Sequence, residues 1–598
     1  MDLNKISKNS DIRKFNHEGL VTIAAKLREN LFESMAKTGG YLASNLSVVE
    51  LTLALHYVFD VEVDQLIFDG KKHAMVNTIL NQAYGIEKNL LYASSISIAL
   101  GLAEAQAFEH EKKSIVAILG DNSINDGINF EALRHISKSV EKVIIVYNDA
   151  DSDQVSVGNI DRSINRIRTS KSYNVIKGDM NKILSKNIVG KKVLGSLHGV
   201  KNVIKKNVLE TTIFREFGIE YLGPVDGHDL KQLITAFNYA KQIDNSVIVH
   251  VITKMGKGVS FVENNANYHY NAITPFDPKT GQTLSNFPSN HLTNANIVTK
   301  TLIDLAKDEA DIVAVSTDNL VFSNLGDFNE HYPKRTYNIA NSELHASAFA
   351  AGLALSGKKT FLSLRSKQIQ SIYKQVNNDI AKNKLPVVIG INDAGLNSDY
   401  DIDSQGIYDI TLLSSMANLV IAQAKDQVEL QDLVYSAFKY NSPVALRYSG
   451  AIHQYVKNEH YRLINIGSWT KEIYNVNMQA LIITYGNDVE KLMRRIQINN
   501  LNIGLINARF IKPLDTDLLK EISLLNIPIY IYENDLLNSG LSSMINNYYT
   551  DNNIKLEVIR YGIADINVQP DSIIAIRKKL KLDSNSLLSA ISEKIERM

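Results

Sequence analysis

Two runs decide how this chain folds: Lys113-Ser-Ile-Val-Ala-Ile-Leu119, which ends on Gly120-Asp121-Asn122-Ser123, and Val143-Ile-Ile-Val-Tyr147, which ends on Asn148. Each is short, β-branched and unbroken by polar residues inside the run, the pattern of a strand covered on both faces. Between them, Ile128–Val140 places Phe130, Leu133 and Ile136 on one helical face. Strand, loop, helix and strand at this spacing predict a parallel α/β unit. In such sheets ligands bind beyond the carboxyl ends of the strands. The spacing sets Asp121 and Asn148, 27 residues apart, just beyond two such ends. Their side-chain oxygens suit a hard cation such as Mg²⁺, which also takes diphosphate and water oxygens. The competing reading is a pair of strand-ending turns that hold nothing.

The same alternation extends along the 598 residues. After a Lys/Arg-rich stretch at 161–210, expected to be a solvated insert, order returns at Gly218–Leu222 and a strand is expected at Val247–Thr253. Residues 264–295 carry Asn, Pro, Ser and Thr clusters and read as a linker. A second series follows: Ile312–Ser316, a helix around Leu344–Leu355, Thr360–Leu364 and Leu385–Ile391. A third begins near Ile464, with strands expected at Ala480–Thr484, Gly504–Ile506, Ile527–Tyr532 and Leu556–Ile559.

Composition narrows the chemistry. The chain has no cysteine, which excludes disulfides, thiolate-bound zinc, iron–sulfur clusters and thiol nucleophiles. Its 64 Lys+Arg balance 64 Asp+Glu, which argues against a general nucleic-acid or anionic-membrane binder. The polar start, Met1-Asp-Leu-Asn-Lys-Ile-Ser-Lys8, has no apolar segment of a signal peptide, and no apolar run reaches membrane-spanning length. The expectation is a cytoplasmic protein with no nucleic-acid and no membrane partner.

Gly120-Asp121, then about thirty residues, then Asn148 resembles the thiamine-diphosphate motif of transketolase-like enzymes. Further stretches, in order along nearly the whole chain, resemble the 1-deoxy-D-xylulose-5-phosphate synthase family. They are Val49-Glu-Leu-Thr-Leu-Ala-Leu-His-Tyr57, Asp64-Gln-Leu-Ile-Phe-Asp69, Phe130-Glu-Ala-Leu133, Tyr221-Leu-Gly-Pro-Val-Asp-Gly-His-Asp229, Phe349-Ala-Ala-Gly-Leu-Ala354, Arg509-Phe-Ile-Lys-Pro-Leu-Asp515 and Tyr532-Glu-Asn534. The resemblance implies three consecutive α/β domains with mostly parallel sheets, transketolase-like. They are a diphosphate-binding domain over 1–285, a pyrimidine-binding domain over 296–455 and a C-terminal domain over 460–598. It also implies a homodimer with the active site between the first two domains. Asp121 and Asn148 match the Mg²⁺ ligands. Asn122 stands at the motif's second Gly, where a side chain crowds the diphosphate, and the amide of Ser123 is still on offer. Glu343, in Asn341-Ser-Glu-Leu-His345, matches the acid that hydrogen-bonds the cofactor's aminopyrimidine. The plain alternative for Glu343 is an acid favoured in the first turn of a helix that Ser342 caps.

The departures are equally specific. Tyr41, Lys72 and Leu91 stand at three family His positions, with His73 one residue along from the second. Leu transfers no proton, and Tyr or Lys does so near neutrality only when strongly perturbed. Gln368 stands where the family has an aromatic against the pyrimidine, Ser404 replaces a His, and Val259 replaces a Tyr. The two arginines that hold the acceptor's phosphate in the family fall at Asp393 and Gly450. Arg365 and Lys367 offer a substitute anion site or ordinary salt-bridged charge. Asp399, Asp401 and Asp403 form an acidic loop best read as solvated, and Lys171–Lys206 a flexible basic insert.

Three functional readings follow. The first is a thiamine-diphosphate- and Mg²⁺-dependent transferase that joins pyruvate to glyceraldehyde 3-phosphate with loss of CO₂, its activity impaired or altered. The second keeps the cofactor and changes the acceptor. The third is a degenerate, non-catalytic paralogue that acts as a binding or regulatory subunit.

Overall fold

The computed structural model describes residues 6–70, 73–86, 94–106, 108, 113–120, 123–139, 141–151, 214, 216–264, 273, 275–283, 288, 290–321, 323–339, 342–397 and 405–597. The chain divides into two compact units, Met1–Asn286 and Phe287–Met598.

The first unit is built on five parallel strands, β1 (Gln65–Phe68), β2 (Ile115–Leu119), β3 (Ile144–Asp151), β4 (Glu220–Asp226) and β5 (Val247–Lys254), in the order β1-β2-β3-β5-β4. Every residue of β2 is buried, as an unbroken apolar run requires when helices cover both faces. One face packs on the helices His17–Thr38, Val49–Val58 and Leu230–Gln242 through Leu27, Leu31, Leu53 and Phe237, among others. The other packs on Ser95–Gln106 and Gly127–Ile136 through Ile96, Leu100, Leu133 and Ile136.

The second unit holds two larger sheets. Strands β7 (Ile312–Ser316), β8 (Thr336–Asn338), β9 (Lys359–Arg365), β10 (Val387–Asn392), β11 (Val420–Gln423) and β12 (Val444–Arg447) run parallel in the order β11-β12-β10-β9-β7-β8. A short ribbon of β6 (His291–Thr293) with β13 (Ile452–Gln454) lies inside the expected linker and pairs antiparallel, so the tail of that segment is structured. The last sheet orders β14 (Thr470–Ile473), β15 (Ala480–Thr484), β16 (Ile503–Asn507), β18 (Ile529–Leu536) and β19 (Val558–Ile563) as β14-β16-β15-β18-β19, with only β14 antiparallel. β17 (Phe510–Lys512) leaves this region to pair antiparallel with β11, extending the seven-stranded sheet. A single apolar cluster runs from Ala295 to Tyr549 and joins the two sheets into one unit.

A buried charge cluster sits at the junction of those sheets. Arg447, the last residue of β12, is 0% exposed. Its Nε and Nη2 donate to Asp409 Oδ2 and Oδ1 at 2.8 and 2.9 Å, its Nη2 also to Asp535 Oδ1 at 2.8 Å, and its Nη1 to Gln423 Oε1 at 2.7 Å. The Tyr485 hydroxyl donates to the other oxygen of Asp535. Burial opposes the guanidinium charge, and the carboxylates of Asp409 and Asp535 outweigh it and raise its pKa. Replacing Arg447 by Met leaves two buried aspartates uncompensated, so unfolding by denaturant is expected to register a loss of about 3–5 kcal/mol.

Two residues before Asp535 on β18, Glu533 accepts the backbone N–H groups of Leu541 (2.7 Å) and Ser542 (3.1 Å), capping the helix Leu541–Asp551. Burial pushes its carboxyl up to about 7, with the nearby Asp535 adding to the rise. A carboxyl whose folded pKa lies above its unfolded one stabilises fully below the unfolded value, here 4.5, and loses that contribution as pH rises through about 7. The unfolding free energy of the wild type relative to Glu533→Gln is therefore expected to grow as pH falls from about 8 to about 6.

Candidate active site

In the first unit, sequence-predicted residues gather at the carboxyl edge of β2 and β3. Gly120 follows β2, and a Cβ there would come within 2.7 Å of the His73 imidazole, so this close approach requires glycine. The neighbour of the replaced family His is thus brought against the start of the motif. Asp121, Asn122 and Lys72 lie outside the described residues, as do Leu91, Asp399, Asp401, Asp403, Ser404 and the stretch 161–210. Ser123 opens a 3₁₀ turn, its N–H directed at the Gly120 carbonyl at 3.3 Å. Buried Asn129 spans two motif loops: its Nδ2 donates to Ser123 O at 2.7 Å and reaches Asp69 Oδ2 at 3.4 Å.

Asn148 sits within β3 rather than beyond it, because β5 supplies ladder partners as far as Asp151↔Lys254 and so prolongs the strand. Its side chain is buried, and Oδ1 accepts the Thr253 hydroxyl at 2.7 Å. Next to it Asp149 Oδ2 pairs with His250 Nε2 at 2.9 Å, and His250 Nδ1 meets the Tyr221 hydroxyl at 2.6 Å. Burial, reinforced by the Asp149 charge, raises the Tyr221 pKa far above its ordinary value, so the phenol keeps its proton in this contact. This chain of three side chains braces the strand ends that carry Asn148 and Thr253. Sequence reading passed over it. Its one sequence signal is His250, a lone polar residue in the otherwise apolar run Val247–Ile252.

A second group of sequence-predicted residues lies in the other unit. Glu343 is the first residue of the helix Glu343–Leu355, whose Ala346, Ala350 and Ala354 are buried. Ser342 occupies the cap position but makes no side-chain cap bond, so the expected Ser342 cap is not formed. Glu343 Oε1 instead accepts Gln368 Nε2 at 2.8 Å. Among the described residues no donor meets the second oxygen. A half-buried carboxylate with one oxygen fixed is an acceptor suited to a protonated ring nitrogen.

Asp393 follows β10 in the left-handed region at φ 57°, a conformation that Asp and Asn tolerate better than most residues. A Cβ on Gly450 would lie 3.7 Å from Asp393 Oδ1. The two positions where the resemblance puts arginines are therefore neighbours, and a carboxylate occupies the corner. Burial raises the pKa of Tyr448, and the Asp393 charge adds to it. Arg365 Nη2 donates to Asp318 Oδ2 at 2.8 Å, which bears out the salt-bridge reading of this residue. Among the described residues no group of three or more His, Asp or Glu could hold a metal, and no helix is long and apolar enough to cross a membrane.

The comparisons with known proteins cover the whole chain. Residues 3–84 and 83–253 match the family described as 1-deoxy-D-xylulose-5-phosphate synthase, 290–451 the transketolase pyrimidine-binding domain and 472–587 the transketolase C-terminal domain. A 1-deoxy-D-xylulose-5-phosphate synthase of Clostridium acetobutylicum is 32% identical over 615 residues, covering 97% of each chain. That of a Geobacillus species is 32% identical over 629 residues, covering 100% of this chain and 99% of its own. Among solved structures, a transketolase from Campylobacter jejuni overlays 97% of this chain and 100% of its own at 14% identity and a TM-score of 0.44, an overlay too loose to add to the fold.

Proposed function

The chain belongs to the 1-deoxy-D-xylulose-5-phosphate synthase family, and from that premise we propose that it is a thiamine-diphosphate-dependent transferase condensing pyruvate with glyceraldehyde 3-phosphate, with loss of CO₂. The observation that carries the proposal is Glu343. The acid that the family motif requires stands at the head of its helix, with one oxygen anchored by Gln368 and the other presented. Bound thiamine diphosphate supplies the carbanion chemistry that no amino-acid side chain offers. Glu343 would hold and exchange a proton with the aminopyrimidine of the bound cofactor. Asp121 and Asn148 would hold Mg²⁺ against the diphosphate, Asn148 through its side-chain oxygen beside Thr253, whereas the Ser123 N–H expected to serve the diphosphate is turned to the Gly120 carbonyl. The domains proposed are 1–285 for the diphosphate, 296–455 for the pyrimidine and 460–598 at the C-terminus. A cytoplasmic homodimer completes the reading. Its product is a precursor for isoprenoids and thiamine.

Differential scanning fluorimetry with thiamine diphosphate and Mg²⁺ tests this first. The midpoint is expected to rise, since ligand at a hundred times its Kd adds about 2.7 kcal/mol. No shift at millimolar cofactor overturns the reading. Pyruvate decarboxylation with and without glyceraldehyde 3-phosphate follows, and Glu343→Gln is expected to lower kcat by about 10²-fold or more.

The corner formed by Asp393 and Gly450 bears on the acceptor. A carboxylate there repels a phosphate that an arginine pair would attract. The double variant Asp393→Asn with Gly450→Arg keeps a residue at ease at φ 57° and restores one cation. Its KM for glyceraldehyde 3-phosphate is expected to fall about tenfold, with kcat little changed, the scale of one charge-assisted hydrogen bond.

A further inference from the structure

We propose that Gln368 is a positioning residue for Glu343: its carboxamide fixes one carboxylate oxygen and so presents the other to the aminopyrimidine of the cofactor. The inference rests on the reading of Glu343 given above. Gln368 ends the 3₁₀ turn Ser366–Gln368 that leaves β9 and is 8% exposed. Its Oε1 accepts the backbone N–H of Arg365 at 2.7 Å and lies 3.0 Å from Thr317 Oγ1. A backbone N–H can only donate, so this end of the amide is the oxygen and the group cannot be turned over. The Nε2 end therefore faces Glu343 Oε1, 2.8 Å away, and donates a charge-assisted hydrogen bond.

The platform beneath this contact is itself held. Arg365 is tied to Asp318 at 2.8 Å, and β9 is paired on both sides, with β7 and with β10. The terminal torsion of a glutamate is broad and turns easily. One anchored oxygen removes that freedom. A phenyl or phenol ring at this position offers no such pair of bonds. The replacement of the family aromatic thus exchanges a stacking surface for a grip on the acid.

Isothermal titration of thiamine diphosphate with Mg²⁺ into the full chain tests the role, using wild type, Gln368→Leu, Glu343→Ala and the double variant. Gln368→Leu is expected to weaken binding about tenfold when Glu343 is present, and to leave it unchanged when position 343 is Ala. Equal loss in both backgrounds, or no loss in either, overturns the role. The first outcome would mean that Gln368 merely shapes the turn through Arg365 and Thr317. Denaturant unfolding of the same four proteins without cofactor supplies a second readout, in which the two substitutions are expected to be non-additive. Additive midpoints in a wild type that does bind thiamine diphosphate overturn the role alone. A wild type that binds none overturns the reading of Glu343, and this role with it.

Discussion

Arg447 carries its charge with no exposure to solvent, and three elements of the second unit are arranged to answer it. Asp409 comes from the head of a helix, Gln423 from the end of β11 and Asp535 from β18 of the neighbouring sheet. Removing a guanidinium from water is costly, and only a complete set of acceptors at good geometry offsets that cost. The two sheets must therefore meet in the register that brings these oxygens to one point. Apolar packing between them, from Ala295 to Tyr549, supplies driving force but little direction, whereas the charge cluster accepts few alternative alignments. From this anchored strand end the chain runs directly into Tyr448, Ser449 and Gly450, so the corner shared with Asp393 inherits its place from the clamp.

The stretch Arg447-Tyr-Ser-Gly-Ala451 separates two kinds of arginine. The buried one persists because its loss would leave two carboxylates unanswered in a dry interior. The family's second arginine faces substrate, so its replacement by Gly450 leaves the fold intact. Position 368 behaves likewise: an aromatic that would touch the cofactor is gone, while the amide that replaces it is satisfied by Arg365, Thr317 and Glu343. The groups that hold strands together, Asp149 with His250 among them, are paired.

Much of the architecture was legible because buried parallel strands advertise themselves as unbroken apolar runs. Ala480–Thr484 and Ile312–Ser316 match the structure to the residue. Asn148 was expected beyond a strand that in fact continues past it, since strand length is set by the ladder partner, β5, over a hundred positions further along. Ser342 was expected to cap a helix and does not, because a cap depends on local backbone geometry that residue type only favours. The tail of the segment 264–295 read as linker, yet β6 is ordered there by β13, a partner some 160 positions away.

The sequence by itself determined the family and the α/β class and singled out Asp121, Asn148 and Glu343 as candidates, since these rest on residue types in a fixed linear order. It also showed which family residues are missing. Only the tertiary structure decided what the replacements do: that Gln368 grips Glu343, that Asp393 lies beside Gly450, that Arg365 is engaged by Asp318, and that Arg447 joins two sheets. Each of these is a pairing between residues far apart in the chain, and hydrogen-bond direction and charge compensation are properties of such pairs that no single position carries.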